Sequence, residues 1–147
     1  MKRILVCTDG EEHTVKAEQK AIDLAEKFGA EITGLYVLSP FLKKFTHEIY
    51  AVNRNECRDH LDAALEREGK AALFALSQRC AERNIAFCAK MRHGDITREI
   101  LAEANGGQYD LLVMGAKLLI KWRERLESFN VSLDIFKSAE PPMMFVR

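Results

Sequence analysis

The chain has 147 residues, enough for one domain with a sizeable buried core. At 48% hydrophobic and 30% charged residues it reads as a folded globular protein, which excludes a disordered one. Its 22 basic and 22 acidic residues cancel, leaving no global positive field to hold DNA or RNA, so no nucleic-acid partner is expected.

No apolar run approaches the roughly 20 residues that a membrane helix needs, and no membrane association is expected. The opening "MKRILVCTDGEEHT" has too short an apolar run for a signal peptide, and Asp9, Glu11 and Glu12 follow at once. A cytoplasmic protein is expected. Cys7, Cys57, Cys80 and Cys88 form no C-x-x-C pair and read as free thiols. The histidines (His13, His47, His60, His93) are scattered, so no metal site is expected.

In chain order, "RILVCT" (3–8) is a β-prone run suited to burial on both faces. "DGEE" (9–12) turns and supplies acidic residues for a helix N-terminus. Ala17, Ala21, Leu24, Ala25 and Phe28 then repeat at helical spacing, and Gly29 is a stop. "EITGLYVLS" (31–39) is a second strand, closed by Pro40. Residues 41–53 show no clear period and read as a long connection. The next helix carries Leu61, Ala64, Leu65, Ala72, Leu76 and Cys80 on one stripe and ends near Asn84. "IAFCAKMR" (85–92) is a third strand.

His93 and Gly94 turn, and Asp95 caps a helix whose stripe is Ile100, Leu101 and Ala104. "NGG" (105–107) ends it, and "DLLVMG" (110–115) is a fourth strand. Trp122, Leu126, Phe129, Leu133 and Phe136 mark a last helical stripe before the strand in "PPMMFVR" (141–147). Strands alternating with amphipathic helices predict one α/β domain over 1–147: an open five-stranded parallel sheet with helices on both faces, a Rossmann-like arrangement. Ligands of such sheets bind beyond the C-terminal strand ends, where strand order reverses. The candidate positions are Thr8 to Gly10, Val37 to Pro40, His93 to Asp95, and Met114 to Lys117.

Several phosphate chemistries fail at these strand ends. The third strand ends in Met91, Arg92 and His93, without the acidic pocket of a response-regulator receiver. "TDGEEHT" is too acidic for a flavodoxin phosphate loop. Walker A and G-x-G-x-x-G patterns are absent. In contrast, five segments in order resemble the universal stress protein family: "RILVCTDGEEHTVKAEQKAIDLA", "ITGLYVLSP", "RHGDITREILAEA", "YDLLVMGA" and "AEPPMMFVR". The resemblance implies the adenine nucleotide alpha hydrolase-like version of the fold, and homodimers joined through the last strand. It also implies a nucleotide cleft to which Asp9, Val37, Met114 and Gly115 would belong.

Family members that bind ATP carry, after the fourth strand, Gly, two residues, Gly, nine residues, Gly, then Ser or Thr. Glycines there let backbone N–H groups approach phosphate oxygens at a helix start. This chain keeps Gly115, but the second position is Leu118, the third falls at Ser128 or Phe129, and the hydroxyl partner at Phe129 or Asn130. The expectation is therefore a homodimer without a cofactor: ATP is disfavoured, and Asp9, Val37, Met114 and Gly115 are a vestigial cleft. The alternative is an ATP- or AMP-binding module with at most slow hydrolysis.

Individual residues have plainer readings. Asp9 serves as a turn or cap residue; Lys117, Lys121, Arg123 and Arg125 form a solvated basic face; Trp122 and Phe129 belong to a buried helix face. His93 sits in a capping turn, Cys7 is an inert core thiol, and Cys57 is the more exposed cysteine. No catalytic constellation is identified, so no enzyme is expected.

Overall fold

β1 (Arg3–Cys7) is the central strand, and its side chains Ile4, Leu5 and Val6 are fully buried, as a strand covered on both faces requires. The computed structural model describes residues 1–39, 56–116 and 132–147, with side chains from residue 63 onward in the middle segment. The expectations for residues 41–53, for the side chains of Leu61 and Cys57, and for Lys117 to Asn130 lie outside the described residues.

The elements follow as α1 (Glu12–Phe28), β2 (Glu31–Leu38), α2 (Glu56–Glu82), β3 (Phe87–His93), α3 (Ile96–Gly106) and β4 (Leu111–Gly115). A helical stretch over 132–138, here α4, precedes β5 (Met143–Val146). All pairings are parallel and the sheet order is β3-β2-β1-β4-β5. The expected five-stranded parallel sheet is what forms. Strand order reverses between β1 and β4, which places the crevice of such a sheet beyond their C-terminal ends.

Alternation along the strands feeds two cores. Ile4, Val6, Ile32, Leu111 and Val113 face α1 and α2, packing on Ala17, Ala21, Ile22, Leu76 and Cys80. Leu5, Cys7, Leu35, Leu112 and Met114 face α3 and α4, packing on Ile100, Ala104 and Ile135. Helices thus cover both faces. The two edges differ: β3 carries exposed Cys88, Ala89 and His93, with Lys90 and Arg92 half-buried among them, whereas β5 is apolar.

Three expectations about helix faces need correction. Phe28 is 52% exposed, because it is the last residue of α1 before Gly29 turns left-handed, and Ile22 with Glu18 completes the buried stripe instead. Phe136 is 65% exposed while its neighbour Ile135 is fully buried, so the stripe through α4 is rotated by one position. On α2, Leu73 joins Leu76 and Cys80 inside, a position the sequence stripe omitted. The end of α2 matches: the helix stops at Glu82 and Asn84 turns with φ 55°.

Candidate functional site

The register of the sheet brings the expected cleft residues to one level. Cys7 pairs with Leu35, so Asp9 and Val37 each lie two residues further along their strands. Val6 pairs with Val113, which sets Gly115 one residue short of Asp9. Asp9, Val37, Met114 and Gly115 therefore meet at the ends of three adjacent strands, at the reversal of strand order. Val37, Cys7 and Met114 share the α3/α4 side at these strand ends. His93 to Asp95 are not part of this group. His93 lies on edge strand β3, the Gly94 amide donates to the Leu38 carbonyl at 3.0 Å, and Asp95 caps α3 by accepting from the Arg98 amide at 3.0 Å.

Asp9 works as a turn residue. Its Oδ1 accepts from the Glu11 amide at 2.9 Å and from the Thr14 hydroxyl at 3.0 Å. Glu11 occupies the N-cap position of α1 without a side-chain capping bond. Gly10 follows Asp9 with φ +78°, a conformation that suits glycine, and an added Cβ would come 3.1 Å from Ala72 Cβ on α2.

His13 was not singled out by sequence, yet it stands beside Asp9. Its Nε2 lies 3.3 Å from Asp9 Oδ2 and its Nδ1 lies 3.4 Å from Glu11 Oε2. Asp9, Glu11 and His13 offer ligand atoms within 4.8 Å of one another. Weighing histidines only against one another hid this D-x-E-x-H arrangement. Asp9 and Glu11 are exposed, and the imidazole already sits between the two carboxylates.

Among the described residues, Asp9 and Glu11 put negative charge beside the end of β1. Tyr36, buried in β2, has its phenol raised first by burial and then by Glu68, Asp9 and Glu11. Gly115 comes in from the other side: an added Cβ would lie 2.8 Å from the His13 carbonyl oxygen and 3.1 Å from its Cδ2. The end of β4 and the first turn of α1 are thus in backbone contact.

Below the turn lies a polar chain that the sequence did not reveal. The Thr8 hydroxyl donates to Glu18 Oε1 at 2.5 Å and accepts from the Gly10 amide at 3.1 Å. Glu18 Oε2 accepts from Arg79 of α2. Glu18 is 1% exposed; burial pushes its carboxyl up, opposed by the Thr8 bond and the Arg79 charge. Cys7 is the inert thiol expected, since burial first and Glu103 second push it up to about 12.

Comparison with known proteins agrees with this fold. Residues 1–147 match the universal stress protein family. Universal stress protein MJ0531 of Methanocaldococcus jannaschii is 27% identical, over 99% of this chain and 82% of its own length. A family protein of Burkholderia pseudomallei superposes with a TM-score of 0.75 at 20% identity, covering 99% of this chain and 95% of the other. An Arabidopsis thaliana family protein with AMP bound gives a TM-score of 0.69 at 18% identity, over 99% and 91% of the two chains. These structures share the fold, and the match along the full sequence settles the relation: the chain belongs to the universal stress protein family.

Proposed function

We propose that this family member acts in the cytoplasm as a homodimer, contributing to a stress response through protein contacts, with neither tight ATP binding nor catalysis of its own. The observation that carries this reading is Gly115. Its glycine is accounted for by the 2.8 Å approach to the His13 carbonyl, so it needs no phosphate to explain it. The sequence beyond it offers Leu118 where binders place glycine. Asp9 and Glu11 add negative charge on the facing side. Calorimetry with ATP and magnesium tests the reading: no micromolar binding is expected, and micromolar binding overturns it.

The dimer would form through β5. This strand closes one edge of the sheet and offers Met143, Met144 and Val146 half-buried and Phe145 exposed. An apolar edge is stabilised by pairing with a second copy.

A second reading keeps the cleft as an adenine-nucleotide site. The AMP-bound Arabidopsis relative favours it, as does the placing of apolar Val37 and Met114 at strand ends beside Asp9. A monophosphate asks less of the phosphate cradle than ATP does. Mass spectrometry of ligands released from the purified protein separates the two readings.

A further inference from the structure

The cleft turn is held from beneath by groups that no cleft residue requires. Glu18 belongs to α1, Thr8 to the end of β1, and Arg79 to α2, and they meet in the interior. Thr8, Thr14 and Glu18 are all nearly inaccessible to solvent. A hydroxyl has one proton to give. Thr8 gives its proton to Glu18, so its lone pairs are left to accept from the Gly10 amide. The Thr14 hydroxyl, 3.3 Å from Thr8, then has its own proton free for Asp9 Oδ1 or the Glu11 carbonyl. Glu18 thus orients the Thr8 hydroxyl, with its proton turned inward and its lone pairs turned to the Gly10 amide.

α2 touches the same turn twice. Arg79 reaches it through Glu18 and Thr8, and Ala72 packs against Gly10. These two residues are two helical turns apart on one face. Glu18 is the buried member of this pair and Arg79 is partly exposed, so the pair joins the interior end of the turn to the outer side of α2.

We propose that Glu18 is a positioning residue for the cleft: through Thr8 it fixes the turn that carries Asp9 and Gly10, and through Arg79 it ties that turn to α2. The inference rests on the second reading, in which the strand-end cleft takes a nucleotide, but its test needs no ligand. Glu18→Leu/Arg79→Met removes the acceptor and the partner charge together. Thr8→Val removes the hydroxyl with little change of shape. Glu18→Gln keeps an acceptor for Thr8, and Arg79, partly exposed, can turn to water.

Amide hydrogen exchange by NMR on the full chain is the measurement. In the double variant and in Thr8→Val, exchange at Gly10 and Glu11 is expected to rise about tenfold or more beyond any change at Val6 and Ala21, the scale of one lost charge-assisted hydrogen bond. Glu18→Gln is expected to stay near wild type. The proposal is overturned if the turn amides move only in step with Val6 and Ala21, or if Glu18→Gln loosens the turn as much as the apolar pair does. If the double variant does not fold, Glu18→Leu alone takes its place, with the partly exposed Arg79 turned to water. An AMP titration that shows no binding counts against the nucleotide reading and leaves the exchange result standing.

Discussion

Gly115→Ala separates a packing role from a phosphate role for the strand-end glycine. The added Cβ would lie 2.8 Å from the His13 carbonyl oxygen, 3.1 Å from its Cδ2 and 3.2 Å from its carbonyl carbon. Two of these three atoms are backbone of the first turn of α1, which cannot swing aside as a side-chain tip can. Relief requires α1 to shift against β4, and α1 is anchored by Ala17, Ala21 and Ile22 in the core. Overpacking of this kind costs about 1–3 kcal/mol. For a domain of this length that is a fall in Tm of roughly 3–10 °C. Thermal unfolding followed by circular dichroism reads it, with no nucleotide present. An unchanged Tm would refute the packing argument and return Gly115 to a ligand role.

Glu103 shapes the acid limb of stability. Burial raises its carboxyl, but bonds from Lys90, Tyr109 and Arg92 outweigh this and its pKa ends below 4.5. A lowered folded value means that the unfolded chain binds the proton first as pH falls. Its contribution is full above 4.5 and is lost as pH falls through the folded value, so Glu103→Gln should flatten the loss of stability in that window, read as Tm against pH. Alkylation with iodoacetamide followed by mass spectrometry should label exposed Cys88 well before Cys7 and Cys80, whose thiols burial pushes up to about 12 and about 11; fast labelling of Cys7 would contradict the closed core. Phe145→Lys should leave the fold intact and shift sedimentation towards monomer if β5 is the joining edge, and an unchanged dimer would place the interface elsewhere.

The architecture was legible because its signals are local and repeated. Apolar runs such as "RILVC" can only be satisfied by burial on both faces, and the alternation of strands and helices then fixes a parallel sheet. Asp95 as a cap was legible for the same reason, since a cap acts within four residues. Helix faces were less so: Phe28 keeps the period but is the last residue of its helix and is exposed, and in α4 the buried position is Ile135, one residue off the stripe through Phe136. The site divides in the same way. Strand ends gave a wider set of positions, the family resemblance narrowed it to Asp9, Val37, Met114 and Gly115, and the register sets these four near one level. Glu18 and Arg79 are 61 residues apart, and neither carries a mark that distinguishes it from a surface charge. A buried ion pair is a tertiary fact, set by which helices neighbour each other. His13 falls between these cases: its two carboxylate partners lie within four residues, and only the turn geometry brings them to the imidazole.

The negative charge at Asp9 and Glu11 also predicts an order of nucleotide affinities. A phosphate cradle built from backbone amides favours each added phosphate, so ATP binds more tightly than AMP. Here the rim carries Asp9 and Glu11, both exposed and therefore screened by water and salt. A unit charge roughly 8 Å from another in water is worth about 0.5 kcal/mol, a factor of two to three in affinity. Each phosphate charge brought towards these carboxylates therefore weakens binding by about that factor, giving AMP over ADP over ATP in the absence of magnesium. Raising the salt concentration should compress the series, because the repulsion is between exposed charges. Glu11→Gln should narrow it at low salt by about one such factor. Titration of the three nucleotides under both salt conditions measures the slope directly. Tighter binding of ATP than of AMP would mean that donors outside this rim hold the phosphates, and that its acids do not decide what the cleft accepts.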